Sequence, residues 1–192
     1  MTLDERSSDM PVLITDRLLI RPVQLTDADA MFELKSDPLV TDQYGQLPHH
    51  EIGETRRWIG TGISDREERK SFIWAITMRA DGDVIGECCF WNFDRDRKCA
   101  EVGYELRRDH WRQGLMMEAL KALLYHGFED LGLHRIEANP LAFNEASKNL
   151  LLRLGFKLEG TLRERVLFNG RFVDQMYYGL LRDDRAERKD GP

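Results

Sequence analysis

The chain has 192 residues, of which 42% are hydrophobic, with a formal net charge of −6 and a sequence pI of about 5.4. This length supports one sizeable core, and the acidic balance argues against a general nucleic-acid surface. No segment reaches the roughly 18 apolar residues of a membrane-spanning helix, and residues 1–10 contain no apolar signal-peptide core. We therefore expect a cytoplasmic protein with one domain at residues 11–182, flexible tails at residues 1–10 and 183–192, and no nucleic-acid or membrane partner.

The first half of the chain predicts short strands and two helices. Apolar residues predict a strand at residues 13–21. Thr26-Asp27-Ala28-Asp29 is a variant capping box that predicts a helix to about Lys35, and residues 48–63 predict a second helical region. Alternating apolar residues predict three further strands at residues 72–78, 84–91 and 99–106, the first two joined by a hairpin turn at residues 80–83.

The second half of the chain alternates helices and strands. Residues 115–128 carry one broad apolar face at helical spacing, which makes them the clearest helix. The elements predicted after it are a strand at residues 135–138, a helix at residues 144–154 closed by Gly155, and a hairpin of strands at residues 156–168 and 172–181 around Asn169-Gly170. Early hairpins followed by β-α-β-α-β predict an α/β fold with a mixed sheet, antiparallel at its start, and exclude a Rossmann fold.

The strongest functional signal is the segment Trp111-Arg112-Gln113-Gly114-Leu115-Met116 between a predicted strand and a predicted helix. Free backbone N–H groups and the positive end of the helix dipole converge at such a junction. Arg107, Arg108 and Arg112 add positive charge around it. The segment predicts a site for a small phosphate-bearing ligand, with a plain strand-to-helix turn as the alternative.

Three other positions near this segment are informative. Gly103 lies inside a strand, which is typical of a bulge or of a place where a ligand approaches the backbone. Asn144 is a helix N-cap by its position, and Ser147 follows one turn later at the edge where the parallel strands end. A serine hydroxyl there could donate a proton to a leaving group, although no nucleophile motif such as G-x-S-x-G surrounds it.

The remaining candidate residues have simpler interpretations. Cys88, Cys89 and Cys99 form no metal-spaced set, and neighbouring cysteines on one strand cannot close an ordinary disulfide, so we expect reduced thiols and no metal site. Glu159 lies in a predicted strand, where it is either a solvated carboxylate or a functional one.

Four blocks of sequence, taken in order and spacing, carry a resemblance to a known family. They are Thr15-Asp-Arg-Leu-Leu-Ile-Arg21, Ala100-Glu-Val-Gly-Tyr-Glu-Leu106, Trp111-Arg-Gln-Gly-Leu-Met-Met-Glu-Ala-Leu120 and Asn144-Glu-Ala-Ser-Lys-Asn-Leu-Leu-Leu-Arg-Leu-Gly-Phe156. Across residues 14–181 the chain resembles the GNAT superfamily of acetyl-CoA-dependent N-acetyltransferases, above all the Rim-type branch that acetylates the N-termini of ribosomal proteins. The family's pyrophosphate loop is usually Gln/Arg-x-x-Gly-x-Gly/Ala, and here only Gly114 fits, because Trp111 and Met116 stand at its ends.

The resemblance implies a GNAT fold and a set of site residues. The residues implied to bind the co-substrate acetyl-CoA are Leu106 and Arg107 at the pantetheine arm, Asn144 along the same arm, and Arg112, Gln113, Gly114, Leu115, Met116 and Met117 at the pyrophosphate, mainly through backbone N–H groups. Ser147 matches a residue proposed to protonate the departing thiolate, and Glu159 matches a proposed general base. The central strands should splay between residues 101–106 and 135–138 to admit the arm.

The acceptor is the least determined part of this expectation. At pH 7 an α-amine is about 10–20% neutral and a lysine amine about 0.04%, so one carboxylate suits an N-terminal or aminosugar-like amine better than lysine. Acetylation of a small amine and a non-catalytic acyl-CoA-binding protein stay as alternatives. The resemblance also leaves a homodimer open.

Overall fold

The computed structural model describes residues 10–184. One β-sheet runs through the structure. Its strands are β1 (Leu13–Ile14), β2 (Leu18–Pro22), β3 (Phe72–Met78), β4 (Val84–Asp94), β5 (Cys99–Leu106), β6 (Arg135–Ala138), β7 (Lys157–Phe168) and β8 (Arg171–Leu181). The helices are α1 (Ala28–Lys35), α2 (Pro38–Thr41), α3 (Ile52–Glu67), α4 (Leu115–Glu129) and α5 (Glu145–Leu154). The predicted flexible tails fall almost wholly outside the described residues.

The sheet is mixed, as predicted. Its strands lie in the order β1-β2-β3-β4-β5-β6-β8-β7, and only β5 and β6 are a parallel pair. Side chains alternate between the two faces of a strand. Even-numbered residues of β5 such as Val102 and Leu106 join the core under α4, whereas Glu105 forms an ion pair with Lys35 of α1 on the other face. We call these two sides the α4 face and the α3 face.

The apolar run at residues 13–21 forms two strands, so the prediction of a single strand was wrong. Thr15 N–H donates to the carbonyl of Leu18 at 3.0 Å, and Thr15 Oγ1 accepts from Leu18 N–H at 3.0 Å. The chain reverses there and places Leu13 opposite Ile20. A threonine hydroxyl that satisfies a nearby backbone group is a local turn signal that hydrophobic periodicity does not contain.

Helix α1 also begins differently from the prediction. Asp27, not Asp29, closes the capping box, because its Oδ2 accepts from Gln24 N–H at 2.8 Å. Asp27 is buried and bound through both oxygens to the guanidinium of Arg21, at 2.6 and 2.8 Å. This charge pair fixes Asp27 against β2, and the first helical turn starts from it.

The parallel pair β5–β6 is short, and this creates a cleft in the sheet. The two strands pair only through Cys99, Ala100 and Glu101 of β5, opposite residues 135–137 of β6. From Val102 to Leu106, β5 pairs with β4 alone, and no other described strand covers its second edge. The carbonyl of Leu106 accepts a hydrogen bond from Trp111 Nε1 at 2.6 Å. The other backbone groups on that edge, from Val102 to Glu105, are available to a ligand, as the expected splay requires.

Candidate functional site

The loop before α4 exposes a row of backbone donors. Arg112 and Gly114 have positive φ values of 60° and 78°, and Gly114 is the N-cap of α4. Glu118 N–H is the first to bond inside this helix, to the carbonyl of Gly114 at 3.1 Å. Among the described residues, none accepts a hydrogen bond from the N–H groups of residues 112–117. Unsatisfied donors at a helix N-terminus favour an anion.

Arg17, from the β1–β2 turn, holds this loop in place. Its Nη1 donates to the carbonyl of Gln113 at 3.0 Å, and its Nε binds Glu118 at 2.7 Å. Its Nη2 lies 3.6 Å from the point that a Cβ on Gly114 would occupy. Arg17 therefore places a guanidinium, paired with Glu118, beside the anion loop. Sequence reasoning missed it because Arg17 and Gly114 lie far apart in the chain.

The arginines expected to surround the loop are arranged differently. Arg107 pairs with Asp83 at 3.2 Å and with Asp109 at 2.9 Å, and Arg108 pairs with Asp37. Of the three, Arg112 is exposed and has no ion-pair partner among the described residues. The expectation of three free positive charges is corrected, because carboxylates neutralise two of them.

Paired side chains also line a surface pocket of about 510 Å³ between α1, α2 and the loop. Its lining residues are Glu33, Leu34, Asp37, Val40, Arg107, Arg108 and Asp109. The pocket is therefore bounded mainly by groups whose charges are already balanced.

Ser147 lies beside the free edge of β5. Asn144 caps α5 as predicted, since its Oδ1 accepts from Ser147 N–H at 2.9 Å, and its Nδ2 donates to the carbonyl of Gln43 at 2.9 Å. Ser147 Oγ lies 2.7 Å from the hydroxyl oxygen of Tyr104. Burial raises the pKa of Tyr104 to about 12, so the phenol stays protonated and able to donate. Tyr104 was missed, although it follows Gly103 directly in the sequence.

Glu159 is not brought together with Ser147. Its two oxygens bind Arg135 at 2.8 and 2.5 Å, and these hydrogen bonds hold the pKa of Glu159 below its ordinary value. Glu159 Oε1 lies 2.5 Å from where a Cβ on Gly179 of β8 would stand. Gly179 pairs with Glu137 of β6, which pairs with Glu101 where β5 and β6 part. The carboxylate expected to be the general base is therefore held in a salt bridge at the level of the cleft, over the second strand from β5, and its role stays a prediction.

A different carboxylate lies where β5 and β6 part. Glu101 accepts a hydrogen bond from Asn92 Nδ2 at 2.6 Å and another from Asn139 Nδ2 at 2.9 Å. Trp91, opposite Glu101 on β4, is 47% exposed, and its Nε1 lies 3.9 Å from where a Cβ on Gly103 would stand. The Oδ1 of Asn139 is buried without a hydrogen-bond partner. The α3 face of the cleft is thus lined by the Glu101 carboxylate, the Trp91 indole and the free carbonyl oxygen of the Asn139 amide.

A buried ionic cluster lies further along the same face. Lys35 Nζ lies 2.7 Å from Glu87 Oε1, contacts Glu105 Oε1, and sits 4.0 Å from the centre of the Trp58 ring. Glu87 and Glu105 are cross-strand neighbours on β4 and β5. All three charged side chains are less than 10% exposed. Sequence reasoning missed this cluster because charged residues on alternating strand positions usually indicate a solvated face.

Two further observations concern the helices and the titratable side chains of residues 10–184. Their helices include none with the length and apolar character needed to cross a membrane. They also contain no group of three or more His, Cys, Asp or Glu side chains that could hold a metal ion.

Comparisons with known proteins agree with this geometry. The family described as "Acetyltransferase (GNAT) domain" matches residues 17–157. The chain is 36% identical over 172 residues to the uncharacterized N-acetyltransferase YoaA of Bacillus subtilis (strain 168), covering 90% of this chain and 97% of that protein. It is 26% identical over 181 residues to the [Ribosomal protein uS5]-alanine N-acetyltransferase of Escherichia coli (strain K12), covering 90% and 91%.

Solved structures show the same architecture. RimL, a ribosomal L7/L12 alpha-N-protein acetyltransferase in complex with coenzyme A, has a TM-score of 0.84 at 22% identity, covering 91% of this chain and 99% of that one. The microcin C7 self-immunity acetyltransferase MccE, in complex with acetyl-CoA and AMP, has a TM-score of 0.80 at 24% identity, covering 91% and 98%.

Proposed function

The chain belongs to the GNAT family of acetyltransferases and is an N-acetyltransferase, and from that premise we propose that it transfers acetyl from acetyl-CoA to the N-terminal α-amine of a protein. The observation that carries the proposal is the continuity of the site. A single path runs along the free edge of β5, the unsatisfied N–H groups of residues 112–117 and the Tyr104–Ser147 pair.

The donors along this path fit coenzyme A. N–H groups from Arg112 to Met117 suit a pyrophosphate, because an anion at a helix N-terminus is favoured by the dipole and by the free amides. The β5 edge that ends at Leu106 offers strand-type hydrogen bonds to the amides of a pantetheine arm. Asn144 would lie beside that arm. Arg107 would act indirectly by holding the end of β5 through Asp83 and Asp109.

The Tyr104–Ser147 pair supplies the acid that the reaction needs. A neutral amine attacks the thioester carbonyl carbon and forms the C–N bond. The C–S bond then breaks, its electron pair goes to sulfur, and the nitrogen loses its surplus proton. Ser147 donates a proton to the thiolate, and the Tyr104 hydroxyl, 2.7 Å away, keeps the serine oriented.

The proposed acceptor rests on the negative charge in the cleft and on the activity for which a relative of the chain is named. Glu101 faces the cleft from the α3 face, where it would attract a cationic amine. The Escherichia coli relative is named for acetylation of an alanine of a ribosomal protein. An α-amine also needs the least help to become neutral. We therefore favour a peptide N-terminus over a lysine side chain.

A product assay tests the proposal. The enzyme with acetyl-CoA is offered peptides that begin with serine or alanine and, separately, small amines such as aminosugars and polyamines. We expect acetylation of the peptide α-amine. Exclusive turnover of small amines would contradict the protein acceptor, and no turnover of either class would leave a CoA-binding protein without this chemistry.

The Ser147→Ala variant tests the assigned acid. We expect kcat to fall by roughly 10²-fold, as for the loss of a general acid, while the Kd for acetyl-CoA stays within about threefold. Ser64→Ala, on the exposed side of α3, is the matched control. If both variants keep wild-type turnover, the Ser147 hydroxyl has no role beyond its contact with Tyr104.

A further inference from the structure

The α3 face of the cleft narrows along β4 and β5. Three cross-strand pairs lie on this face in succession: Trp91–Glu101, Cys89–Gly103 and Glu87–Glu105. The first pair is open to solvent, since Trp91 is 47% exposed, and the second pair is partly exposed. The third pair is buried and bound to Lys35 of α1. The groove over the two strands is therefore open where β5 and β6 part and closed at its other end.

Side-chain atoms of β4 fill the middle of this groove. A Cβ on Gly103 would stand 2.8 Å from Cys89 Sγ and 3.9 Å from Trp91 Nε1, so the thiol and the indole already occupy the space over this glycine. On its other side Cys89 pairs with Ile73 of β3, which packs against the apolar cluster of α1 and α3. The thiol has a neighbour on each side, and it forms an uncharged wall across the groove.

The Cys89 thiol contributes volume to this wall, and it does not act as a nucleophile. Burial raises the pKa of Cys89 well above its ordinary value, so the sulfur stays protonated at neutral pH. The thiolate is the nucleophilic form of cysteine. Cys89 therefore does not take the acyl group from a thioester, and its effect on the reaction comes from the space that it fills.

The two faces of the sheet separate the groups that act on the thioester. Tyr104 packs against the core under α4 and holds Ser147 on that face, so the sulfur receives its proton from the α4 face. Glu101 lies on the α3 face, from which the amine would approach. The acyl carbon must meet the amine, and the acyl group therefore projects toward the α3 face. Next to Tyr104 on that face is Gly103, which brings the acyl group against Cys89.

We propose that Cys89 is a specificity-determining residue for the acyl group, an inference that rests on the proposed function. The acetyl methyl group lies against the Cys89 thiol and the Trp91 indole, whose uncharged atoms suit it. The ammonium of the acceptor is drawn instead to Glu101, one pair nearer to the open end. A longer acyl chain would need the space that the thiol fills, and one methylene in an apolar pocket changes kcat/KM by about 10–200-fold.

The test is the ratio of kcat/KM for propionyl-CoA to kcat/KM for acetyl-CoA, measured with the same amine acceptor. Wild type should give a ratio below about 0.1. Cys89→Ala removes one sulfur atom, which makes room for the methylene that propionyl adds, and should raise the ratio by roughly tenfold or more. Cys89→Val enlarges the wall and should lower the ratio. Because both rates are measured on one preparation, an inactive fraction of the protein cancels in the ratio.

Two further substitutions are controls. Cys89→Ser keeps the size of the side chain and should keep the wild-type ratio, which separates volume from thiol chemistry. Cys99→Ala removes another partly exposed thiol, on β5 at about 13 Å along the strand from Gly103. It should also leave the ratio unchanged.

Several outcomes would overturn the inference while leaving transfer to an α-amine intact. They are a wild-type enzyme that uses both acyl-CoAs equally, a Cys89→Ala ratio equal to that of Cys99→Ala, and a ratio that moves the same way in Cys89→Ala and Cys89→Val.

A protein that acylates no amine would remove the proposed function instead. Calorimetry of wild type and Cys89→Ala with the two acyl-CoAs then decides the role of Cys89. A preference for acetyl-CoA that Cys89→Ala loses would support the inference, and the same ratio of Kd values in both proteins would overturn it.

Discussion

At the scale of single residues, Gly114 occupies a backbone position that favours glycine. Its φ of 78° lies in the left-handed region, where a side chain costs about 1–2 kcal/mol. It is also the N-cap of α4, next to the free N–H groups of residues 112–117. Any side chain added here would stand between Arg17 and the anion that these groups would bind.

Gly114→Asp should weaken acetyl-CoA binding by at least tenfold to a hundredfold, or about 1.4–2.8 kcal/mol. A carboxylate beside the pyrophosphate repels it and competes for the same amides. The matched control is Gly82→Asp, since Gly82 has a φ of 79°, and a Cβ there meets nothing within 4 Å. Titration calorimetry of both variants separates backbone strain from the loss of the site. Equal affinities would mean that the loop assignment is wrong.

Single residues also show where sequence reasoning succeeded and where it could not. The cap at Asn144 was predictable because its partner, Ser147, lies three residues away. Tyr104 and Glu101 were not predicted, since their partners come from distant strands and helices. Glu105 alternates with apolar residues on its strand, a pattern that normally indicates solvent. Only the packing of α1 over β4 and β5 turns that position into a buried one.

At the scale of elements, the sheet and α4 approach each other closely enough to require a glycine. A Cβ at Gly127 would stand 2.7 Å from the Phe90 ring and 3.1 Å from Ile136, and neither side chain has room to move in the core. The strands at residues 72–78, 99–106 and 135–138 were predicted with correct ends, because apolar alternation marks both of their limits. The contact between α4 and Phe90 leaves no such pattern in the sequence, because it depends on the distance between the helix and the sheet.

Two glycine-to-alanine substitutions in helices should therefore have opposite effects. Gly60→Ala in α3 should stabilise the fold by up to about 1 kcal/mol, since a Cβ there meets nothing within 4 Å and alanine has the higher helix propensity. Gly127→Ala in α4 should destabilise it by roughly 1–3 kcal/mol, because overpacking exceeds the gain in propensity. Urea unfolding of both variants measures the difference. A stabilised Gly127→Ala would show that the helix can move away from the sheet.

At the scale of the whole molecule, β5 and β6 join two parts of one sheet through three residue pairs. One apolar cluster on the α4 face continues across the junction, from Leu18 and Ile20 on β2 to Tyr178 and Leu180 on β8. The parts are thus held together by the core under α4 more than by strand pairing. A ligand that fills the cleft would add backbone hydrogen bonds where the sheet lacks them.

Acetyl-CoA should consequently raise the melting temperature. At a concentration of 100 times its Kd it adds about 2.7 kcal/mol to the stability of the folded state, which corresponds to roughly 5–11 °C for a chain of this size. Adenosine, which has no phosphates, is the control and should give no shift at the same concentration. Thermal unfolding followed by circular dichroism measures both. An equal shift with adenosine would place the affinity outside the N–H loop.

The donors of residues 112–117 are amides that every residue except proline carries, so most substitutions in this loop leave the donors intact. Gly114 is restricted by its φ, but Trp111 and Met116 have no such constraint. A protein lineage can therefore change the side chains of this loop while it keeps the same pyrophosphate contacts. The acceptor side that we propose is built from the side chains of Trp91, Glu101 and Asn139. Over evolutionary time, the amine that is acetylated should change more readily than the acetyl donor.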